Sequence, residues 1–150
     1  MPNLIERALD FLTSKRMTIA EESMLPTLRP RERVVFSARA YRRQAPARGD
    51  VILVRAPDNS ARLDVKRIVG LPGEKVALSG TRITIDGAAL DEPYLFGWTP
   101  AGEGASMEWT LGGDEYIVLS DNRHHPAAVD SRRYGPVKRQ HLLAKMVRRF

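Results

Sequence analysis

Val51-Ile52-Leu53-Val54 is an unbroken apolar run, preceded by Gly49-Asp50 and followed by the turn cluster Ala56-Pro57-Asp58-Asn59-Ser60. Four residues are too few for a helix, and a strand that is apolar on both faces has to be covered on both. Other short segments of the same kind recur along the chain. Arg33-Val34-Val35-Phe36-Ser37, the stretch from Leu63 to Val69, Glu115-Tyr116-Ile117-Val118-Leu119 and the segment from Leu142 to Phe150 all have strand length. Lys75 to Leu78 and Arg82 to Ile85 form hairpin material before the Asp86-Gly87 turn. Short strands separated by turns predict a mainly β fold, a β-barrel or coiled β-sheet. At 150 residues the chain is long enough for one domain with a real core and too short for two.

One helix is predicted, at the start. Leu4, Ile5, Ala8, Leu9, Phe11 and Leu12 share a broad face of a helix over Leu4 to Arg16, with Asn3 as its N-cap and Glu6, Arg7, Asp10, Lys15 and Arg16 on the other side. Packing on the body is expected of it, with interfacial membrane contact as the alternative. The stretch from Phe96 to Glu108, rich in Gly, Ala, Thr and Pro, reads as a mobile excursion from the body.

Twenty-four Lys and Arg against 18 Asp and Glu give a net charge of +6, with Arg29, Arg31, Arg33, Arg39, Arg42, Arg43 and Arg48 concentrated in one stretch. Such a surface suits an anionic partner, a phospholipid surface or nucleic acid, and charge alone identifies neither. With no cysteine there is no disulfide and no thiolate metal site. His124 and His125 are adjacent in a loop and His141 is isolated, a pattern of surface histidines and not of metal ligands, so no metal is expected. No run of eighteen apolar residues and no apolar core of a secretory signal occurs, so nothing in the sequence is expected to span a bilayer.

The chemistry centres on Ser23-Met24-Leu25-Pro26-Thr27-Leu28. Pro26 has a fixed φ and biases Leu25 towards extended backbone, so Ser23 stands on a stiff turn or strand start, presented as a nucleophile would be. A serine hydroxyl needs a base. On the Leu63–Val69 strand, alternation puts Asp64, Lys66 and Ile68 on one side and Val65, Arg67 and Val69 on the other, so neither face is cleanly polar and Lys66 should be partly buried. Burial disfavours the ammonium, in extreme cases by about 3–5 pKa units, and a neutral lysine can accept a proton.

Four motifs occur in order: Ser23-Met24-x-Pro26-Thr27-Leu28; Gly49-Asp50-Val51; Val65-Lys66-Arg67-x-Val69-Gly70-Leu71-Pro72-Gly73; and Asp121-Asn122-Arg123 with Asp130-Ser131-Arg132-x-Tyr134-Gly135-Pro136. Together they resemble type I signal peptidase, from about Glu22 to the C-terminus. The resemblance implies that family's β-rich catalytic fold over residues 1–150, with a smaller β-subdomain at about 76–112 left through Asp91-Glu92-Pro93-Tyr94-Leu95. It implies Ser23 as nucleophile and Lys66 as general base. Ser23 and Met24, with Glu21 where the family has serine or glycine, would border the oxyanion and substrate, and Asp121, Arg123, Asp130 and Arg132 would brace the site. The spacings of Asp121 to Arg123 and of Asp130 to Arg132 allow ion pairs.

The implied activity is a serine endopeptidase of signal peptide processing that cuts extended peptides after small residues, alanine-x-alanine, and needs no cofactor. Its partner would be a peptide or precursor protein. An anionic membrane surface is a second candidate partner, and nucleic acid is not expected. The family is membrane-bound with its site on the outer face; this sequence, without an apolar span, is expected to be soluble or peripheral, in the cytoplasm. Two other readings compete: a catalytically impaired peptidase fold kept as a basic lipid- or nucleic-acid-binding module, and a self-cleaving repressor of the LexA type or related maturation protease. The last fits poorly, since the only Ala-Gly bond, Ala101-Gly102, lies downstream of both dyad residues.

Overall fold

The computed structural model describes residues 14–95 and 106–150. Eleven strands occur among them: β1 Ser14–Thr18, β2 Arg33–Ser37, β3 Val51–Arg55, β4 Leu63–Gly70, β5 Lys75–Ser79, β6 Arg82–Ile85, β7 Ala88–Ala89, β8 Ser106–Thr110, β9 Glu115–Leu119, β10 Val137–Lys138 and β11 Leu142–Arg149. Two single-turn helices join them, α1 Ala40–Arg43 and α2 Ser131–Tyr134. Seven strands form one curled antiparallel sheet in the order β1-β2-β11-β3-β4-β9-β10, and four form a second, β7-β6-β5-β8. The mainly β architecture expected from the sequence is the one observed. Among the described residues no helix is long and apolar enough to cross a membrane.

β3 lies at the centre of the larger sheet, and its apolar run is divided between two cores. Val51 and Leu53 join Val34, Phe36, Met24 and Leu28 on one face, while Ile52 and Val54 join Ile68, Val118 and Leu142 on the other. β9 is split in the same way. Tyr116 and Val118 enter the second core, and Ile117 and Leu119 enter a third with Val69, Val76, Leu78 and Ile83 that fastens the smaller sheet to the larger. Strands apolar on both faces are therefore the joints of the molecule.

Two sequence expectations change. Most of the helix expected over Leu4 to Arg16 lies outside the described residues, but Ser14, Lys15 and Arg16 are in β1, paired with Ser37, Phe36 and Val35 of β2. The edge of the sheet offers these residues a ladder with β2, which outweighs helical periodicity. Within the basic stretch, α1 buries Tyr41, whose hydroxyl donates to Asp50 Oδ2 at 2.9 Å. Most of the excursion from 96 to 108 also lies outside the described residues, while Ser106, Met107 and Glu108 belong to β8.

A buried polar hub ties the 20–30 loop to the sheet. Arg67 on β4 donates from Nε to Asp121 Oδ1 at 2.9 Å and from Nη2 to Asp121 Oδ2 at 2.7 Å. Nη1 reaches the Gly49 carbonyl at 2.7 Å, and Thr27 Oγ1 donates to Asp121 Oδ2 at 2.6 Å. The Tyr94 ring stacks on the guanidinium, 3.7 Å from Cζ to ring centroid. This bidentate pair is desolvated, with the Asp121 side chain fully buried and that of Arg67 8% exposed.

Two stability measurements test this arrangement. A Cβ on Gly70 would come within 2.7 Å of Val76 Cγ2 and 3.0 Å of Ile117 Cβ at the junction of the sheets. Gly70→Ala should therefore cost about 1–3 kcal/mol in urea unfolding through overpacking. Asp121→Ala leaves the Arg67 charge buried without its partner and should cost about 3–5 kcal/mol, part of which Arg67→Met in the same chain should restore.

Candidate active site

Ser23 sits in a turn that its neighbours make rigid. Met24 and Leu28 are buried in the first core, and Leu28 N–H donates to the Met24 carbonyl at 2.9 Å. Below the turn the chain closes on itself, with Ile19 N–H on the Glu32 carbonyl and Arg31 N–H on the Ile19 carbonyl. From the other side Asn122, just beyond β9, takes hold of the backbone. Its N–H donates to the Ser23 carbonyl at 2.9 Å, and its Nδ2 donates to the Glu22 carbonyl at 3.0 Å. Fixing both carbonyls fixes the peptide planes, and so the direction of the Ser23 N–H. That N–H has no partner among the described residues.

Lys66 approaches Ser23 from β4. Its Nζ lies 3.3 Å from Ser23 Oγ, and the two residues are 3% and 7% exposed. Among the described residues Ser23 Oγ is the only hydrogen-bond partner of an amine that would carry three donors if protonated. Burial lowers the Lys66 pKa from its ordinary value, against the opposing charges of Asp64, Asp130 and Glu21, none of which pairs with it directly. The expected partial burial is in fact nearly complete. β4 pairs with β3 over Leu63–Arg67, which places Lys66 opposite Ile52.

The cleft beside the pair has a volume of about 150 Å³. Met17, Met24, Leu63 and Val65 contribute its apolar lining, and Glu21 and Asp64 its acidic groups. Two strand edges border it. β1 pairs only with β2, and β4 pairs with β9 only from Arg67 onward, which leaves Leu63–Lys66 unpaired on that side among the described residues. Met24 thus contributes through its buried side chain. Glu21 is exposed, and its carboxylate has no hydrogen bond or ion pair among the described residues.

The four bracing residues fall into two clusters. Asp130 and Arg132 pair as their spacing allowed, with Nε donating to Oδ1 at 2.9 Å and Nη2 to Oδ2 at 2.8 Å. Asp130 also caps α2 through the Arg132 N–H and accepts the Ser120 N–H at 2.9 Å. Burial alone would raise its pKa, but the Arg132 guanidinium and the two backbone donors outweigh it and hold the carboxyl below its ordinary value. Arg132 Nη1 reaches the Arg123 carbonyl at 2.8 Å, so this cluster locks the 120–132 loop onto itself.

Asp121 and Arg123 do not pair. Arg123 N–H donates to the Asp121 carbonyl at 2.9 Å, a tight turn that sends the side chains to different partners. Asp121 takes Arg67, whereas Arg123 donates to the Ser120 carbonyl at 2.6 Å and pairs with Glu92 at 2.5 Å. Glu92 also accepts the Tyr94 hydroxyl at 2.7 Å, which joins the exit of the smaller sheet to the site. Arg67, Asn122, Glu92, Tyr94 and Thr27 are thus parts of the site that sequence reasoning did not assign. All five stand inside segments it quoted, but spacing could not show which contacts they make. Of the histidines, His124 is exposed, and His125 Nδ1 accepts the Ala127 N–H at 3.2 Å.

Comparison with known proteins identifies the family. The sequence model of the family described as signal peptidase, peptidase S26, matches residues 5–150. Signal peptidase I of Leptolyngbya laminosa is 33% identical over 144 residues, covering 88% of this chain and 66% of that protein. Probable signal peptidase I-2 of Synechocystis sp. is 34% identical over 137 residues, covering 88% and 61%. Signal peptidase IB of Staphylococcus aureus is 30% identical over 148 residues, covering 89% and 75%. The chain thus spans slightly under two thirds of the length of the first two of these relatives. A crystal structure of a signal peptidase I from Enterococcus faecalis V583 superposes with a TM-score of 0.59 at 28% identity, covering 69% of this chain and 98% of that one. The chain belongs to the signal peptidase family, peptidase S26.

Proposed function

We propose that the chain is a serine endopeptidase that cuts extended precursor peptides after small residues, alanine-x-alanine, as in the processing of signal peptides, through a Ser23–Lys66 dyad. The observation that carries this reading is the 3.3 Å contact of Ser23 Oγ with a buried amine that has no carboxylate partner, at the floor of a cleft. A serine is a weak nucleophile until a base takes its proton, and a desolvated amine can be that base.

The substrate lies as an added strand between the open edges of β1 and β4, held by main-chain hydrogen bonds while small side chains enter the cleft. Ser23 Oγ attacks the carbonyl carbon of the scissile bond as its proton passes to Lys66 Nζ. The oxyanion that forms accepts from the Ser23 N–H, which the Asn122 contacts hold in one direction. Lys66 then gives the proton to the departing amine. In the second half, water loses a proton to Lys66 and attacks the Ser23 ester, and the new C-terminus is released as Lys66 returns that proton to Ser23 Oγ. Glu21, exposed on the rim, is screened by water from the oxyanion.

Ser23→Ala and Lys66→Ala should each abolish cleavage of a peptide with alanine at the first and third positions before the cut, read by mass spectrometry. Because the two groups act as a unit, the double variant should be no slower than either single one. Activity surviving either substitution removes the dyad. Lys66 works as the neutral amine, so kcat/KM should rise with pH as it loses its proton. Since burial lowers that pKa, the midpoint should lie below the ordinary lysine value of about 10.4.

A further inference from the structure

The dyad leaves one requirement unmet. Once Lys66 has taken the Ser23 proton it is an ammonium with three N–H donors, and Ser23 Oγ is its only hydrogen-bond partner among the described residues. Asp64, Asp130 and Glu21 favour that charge from a distance, and Arg62 opposes it. A buried ammonium needs acceptors in contact with it.

The register of the sheet points to one. β9 runs antiparallel to β4, with Leu119 opposite Arg67 and Val118 opposite Ile68. One step further along both chains Ser120 comes abreast of Lys66. Alternation holds through that step, because Val118 shares a core with Ile68 while Asp121 meets Arg67 on the other side. Ser120, next to Asp121 and two residues from Val118, therefore faces as Lys66 does. Opposed residues keep their Cβ atoms about 4.5–5.5 Å apart, a gap that a lysine side chain spans. Two residues further on, Asn122 N–H holds the Ser23 carbonyl, so one segment passes both members of the dyad.

Ser120 is fully buried and its backbone is committed on both sides. Its N–H donates to Asp130 Oδ2 at 2.9 Å, and its carbonyl accepts from Arg123 Nε at 2.6 Å. Its hydroxyl has no hydrogen-bond partner among the described residues. An orphaned buried hydroxyl is destabilising, and alanine would fill the same place without that cost. The other such hydroxyl beside this core is that of Tyr134 on α2, kept protonated by burial, and the charges acting on it include Asp58 and Arg62 from the far end of β4.

We propose that Ser120 is a positioning residue of the dyad: its hydroxyl accepts a hydrogen bond from Lys66 Nζ when the amine takes the Ser23 proton, and holds the ammonium in place to pass that proton to the leaving amine. The bond forms in the charged state, so it favours the reaction and not the binding of substrate. One ammonium donor still goes without an acceptor, and Lys66 stays below its ordinary range. The role of the proton rests on the endopeptidase reading, but the contact itself can be measured without any cleavage.

The test follows the Lys66 ε-carbon by NMR in the full chain carrying carbon-13 at the lysine ε-carbons. Removing an acceptor of the ammonium disfavours the charged form, so in Ser120→Ala the Lys66 midpoint should fall by about one pH unit. A merely structural loosening would admit water and raise the midpoint instead. Because the hydroxyl is orphaned in the resting protein, Ser120→Ala should unfold in urea at no lower concentration than the parent. With a peptide carrying alanine at the first and third positions before the cut, kcat should drop about ten- to a hundredfold at unchanged KM. A midpoint that stays or rises, a kcat that is unchanged, or a variant that fails to fold overturns the proposal. So does a fall seen in Tyr134→Phe and not in Ser120→Ala. A parent protein that cleaves no such peptide refutes the endopeptidase reading alone, since the lowered midpoint would still report the Ser120 contact.

Discussion

A lysine amine buried against a serine hydroxyl, with no carboxylate in contact, is the constraint on which the rest of the structure depends. Lys66 is 3% exposed and has a single hydrogen-bond partner among the described residues. An ammonium placed there would lose water and leave donors unmatched, so the fold favours the neutral amine. Keeping it buried requires strands packed on both faces, and β3 and β9 provide them by dividing their side chains between separate cores. The chemistry needs a dry floor, and a curled sheet whose central strands are apolar throughout supplies one.

Around the dyad, charged groups pair with each other and leave the dyad alone. Arg67 faces away from Lys66 on the same strand and is neutralised by Asp121, while Arg132 neutralises Asp130 and Glu92 neutralises Arg123. Each pair ties one loop to the body: the serine turn through Thr27, the 120–132 loop through Ser120, and the smaller sheet through Glu92. Buried pairs of this kind add little net stability compared with apolar packing, and their value lies in fixing where loops stand. Asn122 completes the restraint by hydrogen bonding alone, since it holds the backbone on either side of the Glu22–Ser23 peptide without adding charge.

The strands were legible because period and run length follow directly from burial. Val51–Val54 and Glu115–Leu119 are apolar on both faces and proved to be shared between cores. Motif order singled out Ser23 and Lys66, which the fold brings into contact, and alternation along β4 separated Lys66 from Arg67. What escaped was set by long-range contacts. Ser14–Arg16 joins a strand because β2 is there to pair with it, a fact no local periodicity contains. Asp121 and Arg123 stand two apart but are turned from one another by the backbone bond between them, and their partners Arg67 and Glu92 are 54 and 31 residues away. Glu21 stood out as a departure from the family pattern at an oxyanion site; its place on the rim of the cleft gives the substitution a physical meaning as a local reversal of charge in a basic protein.

The central claim is that Lys66 is held as a neutral amine beside Ser23. Its ionisation can be followed directly by NMR in protein carrying carbon-13 at the lysine ε-carbons, with the Lys66 resonance assigned by its loss in Lys66→Arg. The account predicts that this resonance titrates with a midpoint below the ordinary lysine value of about 10.4, and that Ser23→Ala leaves it depressed because burial is its main cause. A Lys66 that titrates at or above that value would be an ordinary protonated lysine, and the dyad would have no base.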